Sequence, residues 1–193
     1  LNRIRREAEH ARAGRPARIV AKMNAIEDAD IIRALYDASV AGVQIELIVR
    51  GFCTLRPGVP GLSENIRVVS VIGRFLEHSR IYAFANGNED PIDGEVFLGS
   101  ADWMIRNLVH RVECIAPVQS RSLRERCWEI LRICLNDTRS GWTMQPDGSY
   151  VQGAAKEGDL GTHAQLMASV RYRVAHPSQA PRAVEWPTAW PSG

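Results

Sequence analysis

No apolar run in this 193-residue chain approaches the ~20 residues that a membrane-spanning helix needs. The longest candidate, residues 43–49, is broken by Gln44 and Glu46. The opening residues also lack the apolar stretch of a secretory signal and begin without Met, so a piece of a longer protein is expected. Cysteine is sparse. Cys53, Cys114, Cys127 and Cys134 form no Cys-x-x-Cys pair and have no His at zinc-finger separation, which weighs against structural zinc and fits reduced thiols in a cytoplasm. Charge of one sign is lacking too: 24 basic and 22 acidic side chains leave a formal charge of +2, too little to draw in nucleic acid or anionic lipid from afar. Any anion site must be local, and no nucleic-acid partner is expected. There is no Gly-x-x-x-x-Gly-Lys-Ser/Thr loop, no Gly-x-Gly-x-x-Gly turn, no nucleophile elbow and no His-Glu-x-x-His.

The chain does have enough apolar side chains, 45% of the total, to build one core without disulfides or metal. Residues 1–13 carry Leu1, Ile4, Ala8 and Ala11 on one helical stripe, stopped by Gly14 and Pro16. Residues 17–23 predict a strand. Asp28 or Asp30 then caps a helix bearing Ile31, Ile32, Leu35 and Ala38, which Gly42 ends, and residues 43–49 predict a second strand. Strand, helix and strand in close succession describe a βαβ unit, normally parallel and right-handed. Further strands are expected over residues 66–71, 80–85, 95–98 and 111–116, with Pro117 breaking the last, and a closing helix ends near Leu135. Cys127 and Cys134 share a face of that helix and read as small core residues. The expected architecture is α/β, a layered domain over residues 1–137. Residues 138–193 read as a C-terminal extension, partly disordered, with a helix only over 162–174. Roughly the last fifteen residues are expected to lack order, since apart from Trp186 and Trp190 they hold few apolar side chains to offset ordering entropy.

The segment with most chemical content is Arg74-Phe75-Leu76-Glu77-His78-Ser79-Arg80, followed by Gly99-Ser100-Ala101-Asp102-Trp103-Met104 after a polar hairpin. A histidine at the mouth of one strand and a small-residue turn after its hairpin partner would lie side by side. Ser100 offers a hydroxyl, Asp102 can orient an imidazole or a guanidinium, His78 can move protons near neutral pH, and Arg80 presents a forked donor set to phosphate. This chemistry suits phosphoryl transfer. The same spacing is equally that of a structural histidine and a solvated strand-edge arginine. Arg50, at the carboxyl end of a buried parallel strand, is a second candidate, because ligands of α/β sheets gather at that edge. Lys22, Asn24, Arg56, Arg74 and Arg106 could extend a basic rim. His10, His110, His163 and His176 have no evident partners in the sequence, and Trp103, Trp128 and Trp142 read as packing residues.

With these residues in view, residues 8–137 resemble the C-terminal part of bacterial polyphosphate kinase of the phosphohistidine type, which is built on a phospholipase-D-like fold with a mixed sheet covered by helices. The blocks that carry the resemblance are Gly14-Arg15-Pro16-Ala17-Arg18-Ile19, Lys22-Met23-Asn24, Ile48-Val49-Arg50-Gly51, Leu55-Arg56-Pro57-Gly58-Val59, Ser63-Glu64-Asn65-Ile66-Arg67, residues 75–80 and Ser100-Ala101-Asp102-Trp103-Met104. The resemblance implies reversible transfer of the terminal phosphoryl of ATP to a histidine and then to polyphosphate, assisted by Mg2+. The phosphorylated histidine would lie upstream, in the preceding phospholipase-D-like domain of the same polypeptide, and the Mg2+ ligands outside these residues. It further implies that His78 matches a second histidine across the active site, binding nucleotide phosphate and acting as acid or base. Arg50 would bind ATP phosphates, with Arg80, Ser100, Asp102, Lys22 and Asn24 in support and no metal ligand in these residues. Implied partners are ATP or ADP, inorganic polyphosphate and, at full length, further copies of the protein, in a cytoplasmic setting that leaves membrane association open. The fragment alone is expected to be inactive.

Three departures from the family pattern stand out: Gly99 where Ser is common, a longer hairpin over residues 88–94, and the tail beyond Tyr150. Two other readings remain. One is a phospholipase-D-like phosphodiesterase or nuclease that pairs two copies of one His motif across a dimer; Arg80 argues against it, since such esterases place Lys two residues after the His. The other is a non-catalytic module for subunit contacts.

Overall fold

The structure is a computed structural model that describes residues 1–176. In chain order its elements are α1 (Asn2–Arg12), β1 (Arg18–Met23), α2 (Ala29–Val40), β2 (Gln44–Val49), β3 (Ile66–Val71), β4 (Ile81–Phe84), β5 (Glu95–Gly99), α3 (Ile105–His110), β6 (Ile115–Pro117), α4 (Arg121–Leu135), β7 (Gly141–Met144), β8 (Tyr150–Gln152) and α5 (Thr162–Ala175). The strands form one sheet in the order β6-β5-β4-β1-β2-β3-β7-β8. β1, β2 and β3 run parallel, and every other neighbouring pair is antiparallel. The sheet is therefore mixed, and the βαβ unit read from the sequence is its centre.

Alternation along β1 explains the two layers. Ile19, Ala21 and Met23 face a core completed by Ile4 and Ala8 of α1 and by Ile31, Leu35 and Ala38 of α2. Val20 faces the other way, onto Cys127, Trp128, Leu131, Cys134 and Leu135 of α4. A strand covered on both faces has to be nearly all apolar, which is why residues 18–23 and 44–49 read as they do. Cys127 and Cys134 are buried as expected, and burial pushes the Cys134 thiol up to about 12. α2 starts where Asp28 accepts the Ile31 amide at 2.9 Å, so Asp28 rather than Asp30 is the cap, and the chain leaves it through Gly42 at φ 98°.

Several elements differ from the sequence pattern. The sheet continues past Asp137: β7 pairs with β3 and β8 with β7, where only a helix was expected in that stretch. α3 is an added single short helix. The strand expected over 111–116 is β6, a three-residue edge strand in which Pro117 is not a breaker but the last paired residue, opposite Phe97. An edge position tolerates proline because its missing N–H faces no neighbour. The expectation of disorder at the end of the chain, with Trp186 and Trp190, lies outside the described residues. No helix among the described residues is long and apolar enough to cross a membrane.

Candidate functional site

The carboxyl ends of β1 and β2 and the loops that follow meet at one edge of the sheet. Ile26 forms isolated parallel bridges to Cys53 on one side and Trp103 on the other. Its amide donates to the Phe52 carbonyl at 2.9 Å, and the Glu27 amide to the Trp103 carbonyl at 2.9 Å. These bonds place Asn24, Arg50 and Asp102 on neighbouring segments, although 78 residues separate the first from the last. β4 begins beside β1, so the loop of residues 72–80 that precedes it arrives at the same edge.

Asp102 is the hub. It is 1% exposed and accepts a fork from Arg80, Nε to Oδ1 at 2.9 Å and Nη2 to Oδ2 at 3.0 Å. Oδ1 also accepts the Asn24 amide at 2.7 Å. Burial pushes this carboxyl up, but the bonds from Arg80 and Asn24 outweigh burial and hold it below the usual aspartate value. The other edge of the Arg80 guanidinium lies along His78, with Nη1 3.2 Å from Nδ1, Nη2 3.1 Å from Nε2, and Nη1 donating to the His78 carbonyl at 3.1 Å. An imidazole has at most one acceptor nitrogen, so at most one of the two ring contacts is a hydrogen bond from the guanidinium. His78 is exposed.

From Asp102 the network runs on to Arg50. Asn24, held by its amide, accepts Arg50 Nη2 through Oδ1, and Arg50 Nη1 donates to the Glu77 carbonyl at 3.3 Å. Lys22 faces the α4 side of the sheet, nearly buried, and reaches the same loop through an ion pair with Glu77 and a 3.1 Å bond to the Ser79 carbonyl. Burial raises the Glu77 carboxyl, and the bonds from Lys22 and Ser79 bring it back below its ordinary value. His78, Arg80, Asp102, Asn24, Arg50 and Lys22 thus belong to one connected network. Glu77, to which the sequence reading gave no role, is its second carboxylate. It lies within the quoted block, next to His78, and its task shows only once Lys22 is across from it.

The chain matches the family model for polyphosphate kinase C-terminal domain 2 over residues 1–165. It belongs to the polyphosphate kinase family. The polyphosphate kinase of Thermosynechococcus vestitus is 58% identical over 170 residues, which are 87% of this chain and 23% of that protein. For Neisseria meningitidis serogroup C the identity is 55% over 160 residues, covering 82% of this chain and again 23% of the relative. The chain therefore spans about a quarter of the length of the curated relatives it matches. The crystal structure of polyphosphate kinase from Porphyromonas gingivalis superposes with a TM-score of 0.82 at 38% identity, over 89% of this chain and 26% of that one.

In this polyphosphate kinase domain Ser100 stands apart from the network. Its hydroxyl donates to Glu113 and accepts the Cys114 amide at 3.0 Å, so it closes the connection through α3 between β5 and β6 and makes no bond to His78. Gly99 has the Tyr82 ring 3.1 Å and Ile115 3.3 Å from where a Cβ would sit. Arg56, Arg74 and Arg106 are exposed. Arg56 lies against the Gly148 turn, and Arg74 sits over the Phe75 ring at 5.3 Å. Among the described residues no three His, Cys, Asp or Glu side chains converge to hold a metal ion. Glu77 and Asp102 are each ion-paired to a cation, which does not fit a Mg2+ site.

Proposed function

We propose that this domain forms the phosphate-contacting half of a polyphosphate kinase active site. It would take part in the reversible movement of the ATP terminal phosphoryl, through a phosphohistidine carried by upstream parts of the polypeptide, to inorganic polyphosphate. The observation that carries the reading is the single network from His78 through Arg80, Asp102 and Asn24 to Arg50, in a chain of this family.

Counting donors divides the labour between the arginines. A guanidinium has five N–H groups. Arg80 directs its Nε and Nη2 to Asp102 and its Nη1 to the His78 carbonyl, and lies within hydrogen-bond reach of the His78 ring, so it orients the imidazole. Arg50 has two groups engaged, on Asn24 and the Glu77 carbonyl, and its remaining donors are available to phosphate oxygens. Its fixed charge then offsets the negative charge that develops on the transferred group. His78, which is exposed, supplies or accepts a proton there. The Mg2+ expected of the whole enzyme is assigned to groups outside these residues and no step here depends on it. ATP or ADP as nucleotide, association of full-length copies and a cytoplasmic setting belong to the same proposal.

Titration of the chain with inorganic polyphosphate and with a non-hydrolysable ATP analogue tests this. Weak, salt-sensitive binding is expected, reduced about tenfold or more by Arg50→Ala, as for loss of a charge-assisted bond of about 1.5–3 kcal/mol. Absence of binding at low ionic strength overturns the reading, as does turnover of a chromogenic phosphodiester that His78→Ala abolishes.

A further inference from the structure

The loop that carries His78 is fixed unevenly. Its second half is tied to the sheet: Lys22 and Arg50 reach the Glu77 side chain and the Glu77 and Ser79 carbonyls. Its first half, residues 73–76, is exposed, and Phe75 and Leu76 stand 48% and 79% open to solvent. There the tie comes from α5. The Phe75 amide donates to His163 Nδ1 at 3.1 Å, and the two rings lie 5.6 Å apart, tilted by 43°. Gly73 is shaped to the same side chain, since a Cβ there would sit 2.6 Å from His163 Nδ1.

His163 is itself held firmly. It is the second residue of α5, directly after Thr162, which is 1% exposed and whose amide donates to Asp137 Oδ2 at 2.7 Å. Asp137 Oδ1 accepts the Arg139 and Ser140 amides at 2.9 and 2.6 Å, so the carboxylate locks the start of α5 to the end of α4. Further along, Ser169 bonds Glu129 at 2.9 Å and receives Arg126 at 3.1 Å, seating α5 along α4. Thr162 and His163 also line the small enclosed space walled by Lys22, Arg50 and Glu77.

We propose that His163 is a positioning residue: its Nδ1 holds the Phe75 amide, and so fixes the approach of the loop that presents His78 to the ligand and the Glu77 carbonyl to Arg50. The ligand part of this inference rests on the function proposed above; the loop part does not. Polyphosphate binding then depends on a side chain whose hydrogen bond goes to the loop backbone at Phe75.

The test separates ring from acceptor. His163→Phe keeps an aromatic ring against Phe75 but offers no acceptor. His163→Asn places Oδ1 where Nδ1 stood. Gly73→Ala attacks the contact from the loop side. Amide hydrogen exchange of residues 73–79 and affinity for inorganic polyphosphate are measured at one pH and ionic strength, alongside the thermal midpoint. Loss of one hydrogen bond predicts about fivefold to tenfold faster exchange of the Phe75 amide in His163→Phe and Gly73→Ala, with His163→Asn back near the parent, and a polyphosphate affinity that follows the same order. The thermal midpoint is expected to fall by no more than about 2–4 °C in any of the three, as for one hydrogen bond in a domain of this size. Unchanged exchange in His163→Phe overturns the proposal, as does failure of His163→Asn to recover it, or an affinity indifferent to a loosened loop. If the exchange pattern holds while the parent chain ignores polyphosphate, the functional reading has failed and the positioning of the loop stands.

Discussion

Two carboxylates are buried at opposite ends of β1 and held by different chemistry. At the strand's start Glu7 is fully buried and accepts two backbone amides, Asn86 at 2.8 Å and Arg18 at 3.1 Å, stitching α1 to the turn after β4. At the strand's end Asp102 accepts an amide too, but its main partner is the Arg80 fork. Burial raises Glu7 more than the two amides lower it, whereas in Asp102 the hydrogen bonds win over burial. A carboxylate answered by amides can lose its charge without stranding a cation. One answered by a guanidinium cannot, and that guanidinium also holds the histidine.

The sharpest way to break this contrast is Asp102→Asn, which keeps the shape and leaves Arg80, its side chain 10% exposed, without a counter-charge. A loss of about 3–5 kcal/mol is expected in urea unfolding, with polyphosphate binding weakened because Arg80 no longer fixes His78. Glu7→Gln should cost less, about 1–3 kcal/mol, because its amide nitrogen meets one of two N–H donors and leaves it unpaired. Binding should be spared; a Glu7→Gln variant that folds but loses polyphosphate affinity would erase the division between the two ends.

The smallest effect is one of slope. The Asp102 carboxyl lies below 3.8 in the folded chain, so it adds stability above that value, and the contribution fades as the pH falls from 3.8 toward the lowered one. Glu7 is raised above 4.5, so the folded chain holds its proton longer than the unfolded one, and stability declines as the pH climbs from 4.5 toward the raised value. Unfolding midpoints through the acid range should show Asp102→Asn flattening the first limb and Glu7→Gln the second. The same limb responding to both variants would contradict the assignment.

The centre of the fold could be read from the chain because its signals are local and strong. Residues 18–23 and 44–49 are nearly all apolar as doubly covered strands must be, and Asp28 caps the helix between them. β7 and β8 gave no such signal. They are four and three residues long, only partly buried, and set among glycines, so no period of two has room to show. The site was legible as a set of residues, since His78, Arg80 and Asp102 stand in compact blocks, while their commitments were not. That Arg80 is committed to Asp102 and His78, that Ser100 serves Glu113, and that His163 meets a loop 88 residues away are facts of tertiary pairing.

Both rims of the eight-stranded sheet end in strands of three residues, β6 and β8, and β6 finishes on Pro117. A foreign strand that came alongside would find few free donors and, at Pro117, none. These abbreviated margins, one of them ended by a proline, therefore work against growth into fibrils by edge-to-edge addition.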